Sequence, residues 1–160
     1  MLGIMSLWMG LMQIARASGL IERMTKGMRP VIRFLFPDLP AESPAVEYIA
    51  TNMIANILGL GWAATPAGLQ AMHALKEVEE ERRRKKKRTV AEGTASKEMC
   101  TFLVMNISSL QLIPVNMIAY RSQYGSTNPA GIIVPAIMAT LLSTLAAVLF
   151  CKWKGRKGSI

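Results

Sequence analysis

The chain has 160 residues, of which 51% are apolar, and 19 Lys and Arg against 10 Asp and Glu give it a formal charge of +9. Its longest basic run, 82–88, holds no aromatic residue, and no recognition-helix or RNA-binding signature is present, so we expect no nucleic-acid partner. Two cysteines are too few for a disulfide framework and the single His73 has no co-ligands nearby, so we expect no metal and no cofactor.

Residues 1–15 are apolar and uncharged. A membrane-spanning helix needs about 20 such residues, and this segment is shorter. We therefore expect it to be a truncated helix, the second half of one whose start lies outside the chain.

Residues 21–40 mix basic and apolar side chains in a helical pattern. Arg23, Lys26, Arg29 and Arg33 recur at steps of three and four, which places them along one side of a helix. Such a helix is typical of the membrane interface, with its cations toward the lipid headgroups. We expect Pro30 to kink it and prolines 37 and 40 to end it.

Residues 44–75 form an apolar segment with a break. Ser43 suits an N-cap and Pro44 suits the first helical position. The run is then interrupted at 59–61 and again at 65–68, where glycine and proline weaken a helix. The sequence predicts two helical halves joined by a break, and residues 1–75 form the first half of the protein.

The stretch 76–98 carries most of the charge. Residues 76–88 alone hold eight basic and four acidic side chains, and acids at 79–81 precede bases by four, which supports local helix. We interpret 76–98 as a charged cytoplasmic linker, either a solvated helix or a loop, with 89–96 flexible.

Residues 99–151 form the second half. Residues 99–120 are uncharged but contain Asn106, Pro114 and Asn116, which predicts a broken helix. A loop at 121–128 follows, and 129–151 has only Ser and Thr as polar side chains. It is the clearest spanning helix, and a basic tail follows at 152–160.

The charge distribution predicts a topology. Basic segments remain cytoplasmic, so 76–98 and the tail lie inside and 121–128 lies outside. If 44–75 is a re-entrant hairpin, basic segment 21–40 is cytoplasmic too, and we prefer that reading. The sequence thus predicts an all-α, multi-pass integral protein of the cell membrane, with the transporter-like feature of re-entrant or broken helices.

Polar side chains accompany both interruptions. Asn52 and Asn56 share a helix face, as do Asn106 and Ser109. Paired interruptions point to a transporter binding site, and amides suit a neutral polar solute because they both donate and accept hydrogen bonds. The alternative is that these amides only bond helix to helix.

No enzyme is predicted. No carboxylate pair lies in an apolar segment, Glu47 is the only acid near one, and His73 has no nucleophile at a suggestive spacing.

Four blocks, 7–20, 33–45, 52–72 and 106–145, together resemble the spore maturation protein A group of the nucleoside recognition, or Gate, domain family. The resemblance implies an integral membrane protein similar to the core of nucleoside transporters. It also implies a partner of the spore maturation protein B type and a role in endospore core dehydration. It does not name a solute, and a nucleoside is one candidate.

The resemblance carries the following motif positions onto this sequence: Asn52, Asn56, Gly59, Gly61, Thr65, Pro66, Asn106, Ser108, Ser109, Gln111 and Pro114. We expect all of these except the two prolines to be substrate-binding residues. Two departures stand out: the family usually has a further apolar segment at its start, and Trp62 stands where Asn is frequent.

Two hypotheses of different classes follow. In the first, the protein is a membrane solute-recognition or transport subunit of the spore maturation system. In the second, it is a non-transporting membrane scaffold for assembly of spore proteins, and small residues such as Gly59 and Gly61 form helix-packing surface.

Overall fold

The computed structural model of the protein describes Gly10, Ile14, residues 17–85 and residues 89–156. Regular structure in this part of the chain is helical, which confirms the predicted all-α fold. The helices are α1 (Leu20–Leu35), α2 (Pro44–Ile57), α3 (Gly61–Arg84), α4 (Lys97–Ile107), α5 (Val115–Gln123) and α6 (Ile133–Arg156), with a 3-10 turn at Pro129–Ile132 before α6. The truncated helix expected over 1–15 falls outside the described residues, apart from Gly10 and Ile14.

Helix α1 is amphipathic, as its spacing predicts. Its basic side chains are exposed, whereas Ile32 and Leu35 are buried against α2, and the chain leaves the helix before Pro37. Pro30 lies inside the helix, which continues for another turn beyond it.

Helices α2 and α3 form a closely packed antiparallel hairpin. Ser43 caps α2 by accepting a hydrogen bond from the Ala45 amide, and Pro44 takes the first position, as predicted. Alanines are numerous among the buried residues of the two helices, and small side chains let helix backbones approach each other closely. The buried alanines of these two helices are Ala45, Ala50, Ala55, Ala64, Ala67, Ala71 and Ala74.

The hairpin turns within three residues. Gly59 has φ +73°, and its amide donates to the Asn56 carbonyl while the Leu60 amide donates to the Ala55 carbonyl. This pair of bonds is the Schellman arrangement that ends helices at a left-handed glycine. The turn therefore occupies residues 58–60 alone.

The prediction of a second interruption at 65–68 is wrong, because the helix is continuous there. Pro66 lies in the second turn of α3, and the helix continues to Arg84. At that position proline removes a single backbone donor, and the packing of α3 against α2 outweighs the loss. The first half of the charged stretch is thus the last part of α3, and residues 89–96 lie outside regular structure.

The segment between α4 and α5 is a true break. Residues 108–114, which we call the broken segment, have no helical structure, and α5 then resumes at Val115. The Leu112 amide donates to the Ile57 carbonyl at 2.8 Å, so the broken segment is bonded to the tip of the hairpin.

Helix α6 matches the predicted spanning segment. Within the described residues, Pro129–Gly155 is the one helix long and apolar enough to cross a membrane, with a mean hydropathy of 2.4. Only 6% of its most apolar window is fully buried inside the protein, and most of the other apolar side chains of the helix are exposed or half-buried.

A charged cluster, Glu79, Arg82 and Glu98, joins several elements at one end of the molecule. Arg82 Nη1 lies 2.8 Å from Glu98 Oε1 and 3.5 Å from Glu79 Oε2, and its Nη2 donates to the Asp38 carbonyl. The two carboxylate side chains are only 9% and 8% exposed. Burial alone would lower the pKa of Arg82, but hydrogen bonds and attraction to the two carboxylates raise it above its ordinary value.

The charged cluster shows that both ends of the hairpin lie on the same side. The loop before α2, the end of α3 and the start of α4 all meet there, while the hairpin tip lies at the far end of α2. With 14 residues, α2 is about 21 Å long. This is shorter than the roughly 30 Å of a bilayer's hydrocarbon core.

Candidate functional site

Three asparagines form a chain of hydrogen bonds between the hairpin and the broken helix. Asn56 Nδ2 donates to Asn106 Oδ1 at 2.8 Å and to Asn52 Oδ1 at 3.2 Å. Asn52 Nδ2 in turn donates to the Ala64 carbonyl at 2.8 Å. We call Asn52, Asn56 and Asn106 the amide network. It connects α2 to α3 and to the last turn of α4, over a sequence separation of 50 residues.

Asn52 is the structural member of the amide network. It is 1% exposed, and its oxygen and its nitrogen both have partners. Gly68 lies against it, since a Cβ at that position would come within 3.0 Å of Asn52 Nδ2. An amide enclosed in this way positions its neighbours and has no surface for a solute.

Asn56 and Asn106 are half-buried and keep free hydrogen-bonding capacity. Within the described residues, Asn56 Oδ1 has no donor and Asn106 Nδ2 has no acceptor. Both of these unpaired atoms keep some solvent-accessible surface in the described part of the chain. The pair therefore keeps one acceptor and one amide donor group unused, and neither of these atoms is fully enclosed.

Helix α6 holds the broken segment in place. Thr144 Oγ1 donates to the Ser108 carbonyl, and Thr140 Oγ1 accepts from the Gln111 amide at 3.3 Å. A broken helix leaves backbone groups without intrahelical partners, and such groups need other partners where they are shielded from water. The two threonines, one turn apart on α6, provide them, although sequence reasoning did not single them out. Their i, i+4 spacing in an otherwise apolar helix was the available signal.

The two serine hydroxyl groups of the predicted site donate to carbonyls of the helix that precedes them. Ser108 Oγ donates to the Val104 carbonyl at 2.6 Å and Ser109 Oγ donates to the Asn106 carbonyl at 3.0 Å. Both bonds satisfy carbonyls at the end of α4. The Gln111 side chain is half-buried beside them, and its backbone amide is used by Thr140.

Residues predicted around the hairpin tip are distributed differently. Gly59 contacts the broken segment, because a Cβ there would collide with the Ile113 carbonyl. Gly61 is exposed with no neighbour near its Cβ position, and the exposed Thr65 donates to the Gly61 carbonyl at 3.2 Å. The structure thus joins Asn52, Asn56, Gly59 and Asn106, and it leaves Gly61 and Thr65 at the surface. Trp62 lies in the first turn of α3, and its side chain is outside the described part.

Pro114 ends the broken segment. It is buried and directly precedes α5, where its lack of an amide proton costs no helical hydrogen bond.

Comparison with known proteins gives concordant results. The model of the family described as nucleoside recognition, Gate, matches residues 1–151. The chain is 40% identical over 153 residues to spore maturation protein A of Bacillus subtilis strain 168, covering 96% of this chain and 73% of that protein. No solved structure shows a significant match. The family resemblance drawn from the four sequence blocks is confirmed.

Proposed function

Because the chain belongs to the nucleoside recognition, or Gate, family, we propose that it is a membrane-embedded subunit that recognises or moves a small polar solute during spore maturation. It works with a partner of the spore maturation protein B type and contributes to dehydration of the spore core. The observation that carries this proposal is the Asn56–Asn106 bond, which joins two interrupted helices and leaves a donor and an acceptor accessible.

Membrane insertion rests on the outward-facing apolar surface of α6. Six of its large apolar side chains are more than half exposed: Val134, Met138, Leu142, Leu145, Leu149 and Trp153. Such an area in water would drive aggregation, whereas in lipid it is favourable. In this arrangement the hairpin enters the membrane and returns, so that α1, residues 76–98 and the C-terminal tail lie on the cytoplasmic side. Persistence of the protein in membranes after carbonate washing tests insertion.

The site suits a neutral, planar, polar ligand. The free Asn56 oxygen and Asn106 amide nitrogen offer an acceptor and a donor, the complement of a carbonyl next to an N–H. Nucleobases and other amide-like solutes carry an edge with a donor next to an acceptor. Asparagine amides form bidentate hydrogen bonds to base edges in protein–DNA complexes. Gln111, half-buried next to the same segment, is the third candidate contact.

The direct test is ligand-induced stabilisation of the complex of this chain with its partner. Nucleosides, bases and small polar spore solutes are added to the detergent-purified complex, and the unfolding temperature is recorded. A ligand at 100 times its Kd stabilises the state it binds by about 2.7 kcal/mol. A stabilising ligand whose effect disappears in Asn56→Ala and in Asn106→Ala supports the proposal. A folded complex that responds to no solute argues against it.

One observation favours the scaffold alternative. The amides of the network bond chiefly to each other, as polar side chains do when they act only to hold helices together. In that case the asparagine variants lose co-purification with the partner. In the solute-binding case they keep the complex and lose the ligand response.

A further inference from the structure

Helices α1 and α6 meet at their C-terminal ends. Lys152 Nζ lies 3.7 Å from the centroid of the Phe34 ring and donates to the Phe34 carbonyl. Lys152 is the first charged residue after the apolar surface of α6, so it marks the level at which that surface ends. If α6 spans a membrane, as proposed above, this contact holds the end of α1 at the level of the lipid headgroups.

The basic side chains of α1 form no ion pair with any other side chain that the structure describes. Arg23, Lys26, Arg29 and Arg33 are all exposed. By contrast, the exposed cations of α3, such as Lys76 and Lys85, pair with acids one turn away. Arg29 and Arg33 are therefore available to an external anion.

Two of these cations border a concavity with an apolar floor. Arg29 and Arg33, one helical turn apart, line a shallow pocket between α1 and the start of α2. The other side chains of the pocket are Ile32, Phe36, Leu39, Ala41 and Val46. Among the described residues, no polar side chain besides Arg29 and Arg33 lines the pocket to enclose a soluble anion, whereas an apolar lining tolerates the glycerol and hydrocarbon of a lipid.

We propose that the pocket bordered by Arg29 and Arg33 binds an acidic phospholipid of the cytoplasmic leaflet. The lipid phosphate lies between the two guanidinium groups, which bind phosphate oxygens through paired hydrogen bonds. The glycerol and upper acyl portion cover the apolar floor. The exposed Phe34 and Val31 of the same helix reach into the adjoining lipid. This site extends the proposed membrane function, because it rests on insertion of α6.

The test uses the full chain in detergent micelles, where single lipid molecules bind and no charged bilayer surface is present. A short-chain phosphatidylglycerol is compared with phosphatidylcholine of the same chain length by titration against the unfolding temperature. We expect the wild type to prefer phosphatidylglycerol. We expect the double variant R29Q/R33Q to bind it at least about thirty-fold more weakly, since each lost charge-assisted hydrogen bond to the phosphate removes at least about 1 kcal/mol.

The double variant R23Q/K26Q is the matched control. It removes the same charge from the same helix but leaves the pocket intact, so its affinity for phosphatidylglycerol should change less than about threefold. Equal weakening by the two double variants would overturn a defined site. Full competition by inorganic phosphate at low concentration would overturn the assignment to lipid. Equal affinity of the wild-type protein for the two lipids would by itself contradict a site for acidic lipid.

Membrane insertion is measured separately, so the two proposals fail independently. Release of the chain by carbonate would contradict the membrane function itself. Retained insertion without preference for phosphatidylglycerol would contradict the lipid site alone.

Discussion

Asn56 and Asn106, 50 residues apart in sequence, share a 2.8 Å hydrogen bond between the tip region of the α2–α3 hairpin and the end of α4. This bond makes two interrupted helices into one unit. It also aligns the only two members of the amide network that keep free hydrogen-bonding groups within the described residues.

Asn56→Ala should destabilise the protein by about 1–3 kcal/mol, because it leaves the enclosed oxygen of Asn52 without its donor. Thermal unfolding in detergent measures the loss. Asn116→Ala, on the exposed face of α5, is the control and should change stability by less than about 0.5 kcal/mol. A double-mutant cycle of Asn56 with Asn106 should give a coupling energy of at least about 0.5 kcal/mol. Purely additive effects would contradict the bond.

Gly59→Ala should destabilise the hairpin. Its φ of +73° disfavours any side chain, and the new Cβ would push away the Ile113 carbonyl of the broken segment. We expect a loss above about 1 kcal/mol, together with loss of the solute response. Gly61, two residues further on, is helical, and a Cβ there would meet no other atom in the described part of the chain. The control Gly61→Ala should therefore leave stability unchanged or raise it by up to about 1 kcal/mol. Equal effects of the two substitutions would contradict this account of the turn.

Thr144→Val should weaken the support of the broken segment, since the Ser108 carbonyl loses its donor from α6 at almost unchanged side-chain volume. The expected loss is about 1–2 kcal/mol, and solute affinity should fall with it. Ser143→Ala, exposed on the same helix, is the control. Unfolding and ligand titration of both variants measure the difference, and an unchanged Thr144→Val protein would show that the break is held by other contacts.

Arg82→Gln should be the most destabilising of these changes, by about 3–5 kcal/mol, because it leaves two buried carboxylates without their cation. Lys85→Gln breaks an ion pair whose side chains are both 61% exposed, and it should cost less than about 1 kcal/mol. A similar, small cost for both would show that the charged cluster is solvated.

The raised pKa of Arg82 determines only how this residue's charge contributes to stability as the pH rises. A group whose folded-state pKa is raised stabilises the fold below its unfolded pKa and loses that effect only as the pH rises through the folded pKa. For arginine both values lie in the strongly alkaline range. Arg82 therefore stays charged from pH 6 to pH 9. The difference in stability between the wild type and Arg82→Gln should not fall over this range, and unfolding curves recorded at several pH values will measure it.

Much of the fold follows from the sequence because its signals are local. Ser43 and Pro44 mark the start of α2, the spacing of the basic residues marks α1, and the uncharged run 129–151 marks α6. Each of these depends on neighbouring residues along one helix. The prediction failed at 65–68, where Pro66 is a local helix breaker but the packing of α3 against α2 decided the outcome.

The candidate site was only partly predictable for the same reason. Asn52, Asn56 and Asn106 stood out by type and spacing, yet nothing in the sequence showed that Asn56 bonds to both of the others. The support from Thr140 and Thr144 likewise depends on the position of α6 beside the break.

The sequence by itself determined the helical fold, the breaks at 59–61 and within 99–120, and the family, because these depend on side-chain type, spacing and local backbone preference. The tertiary structure alone decided which amide is enclosed and which remain accessible, and it made a buried charged cluster out of a stretch that reads as a solvated linker. Burial and pairing over long sequence separations arise only when helices pack, so no local pattern specifies them.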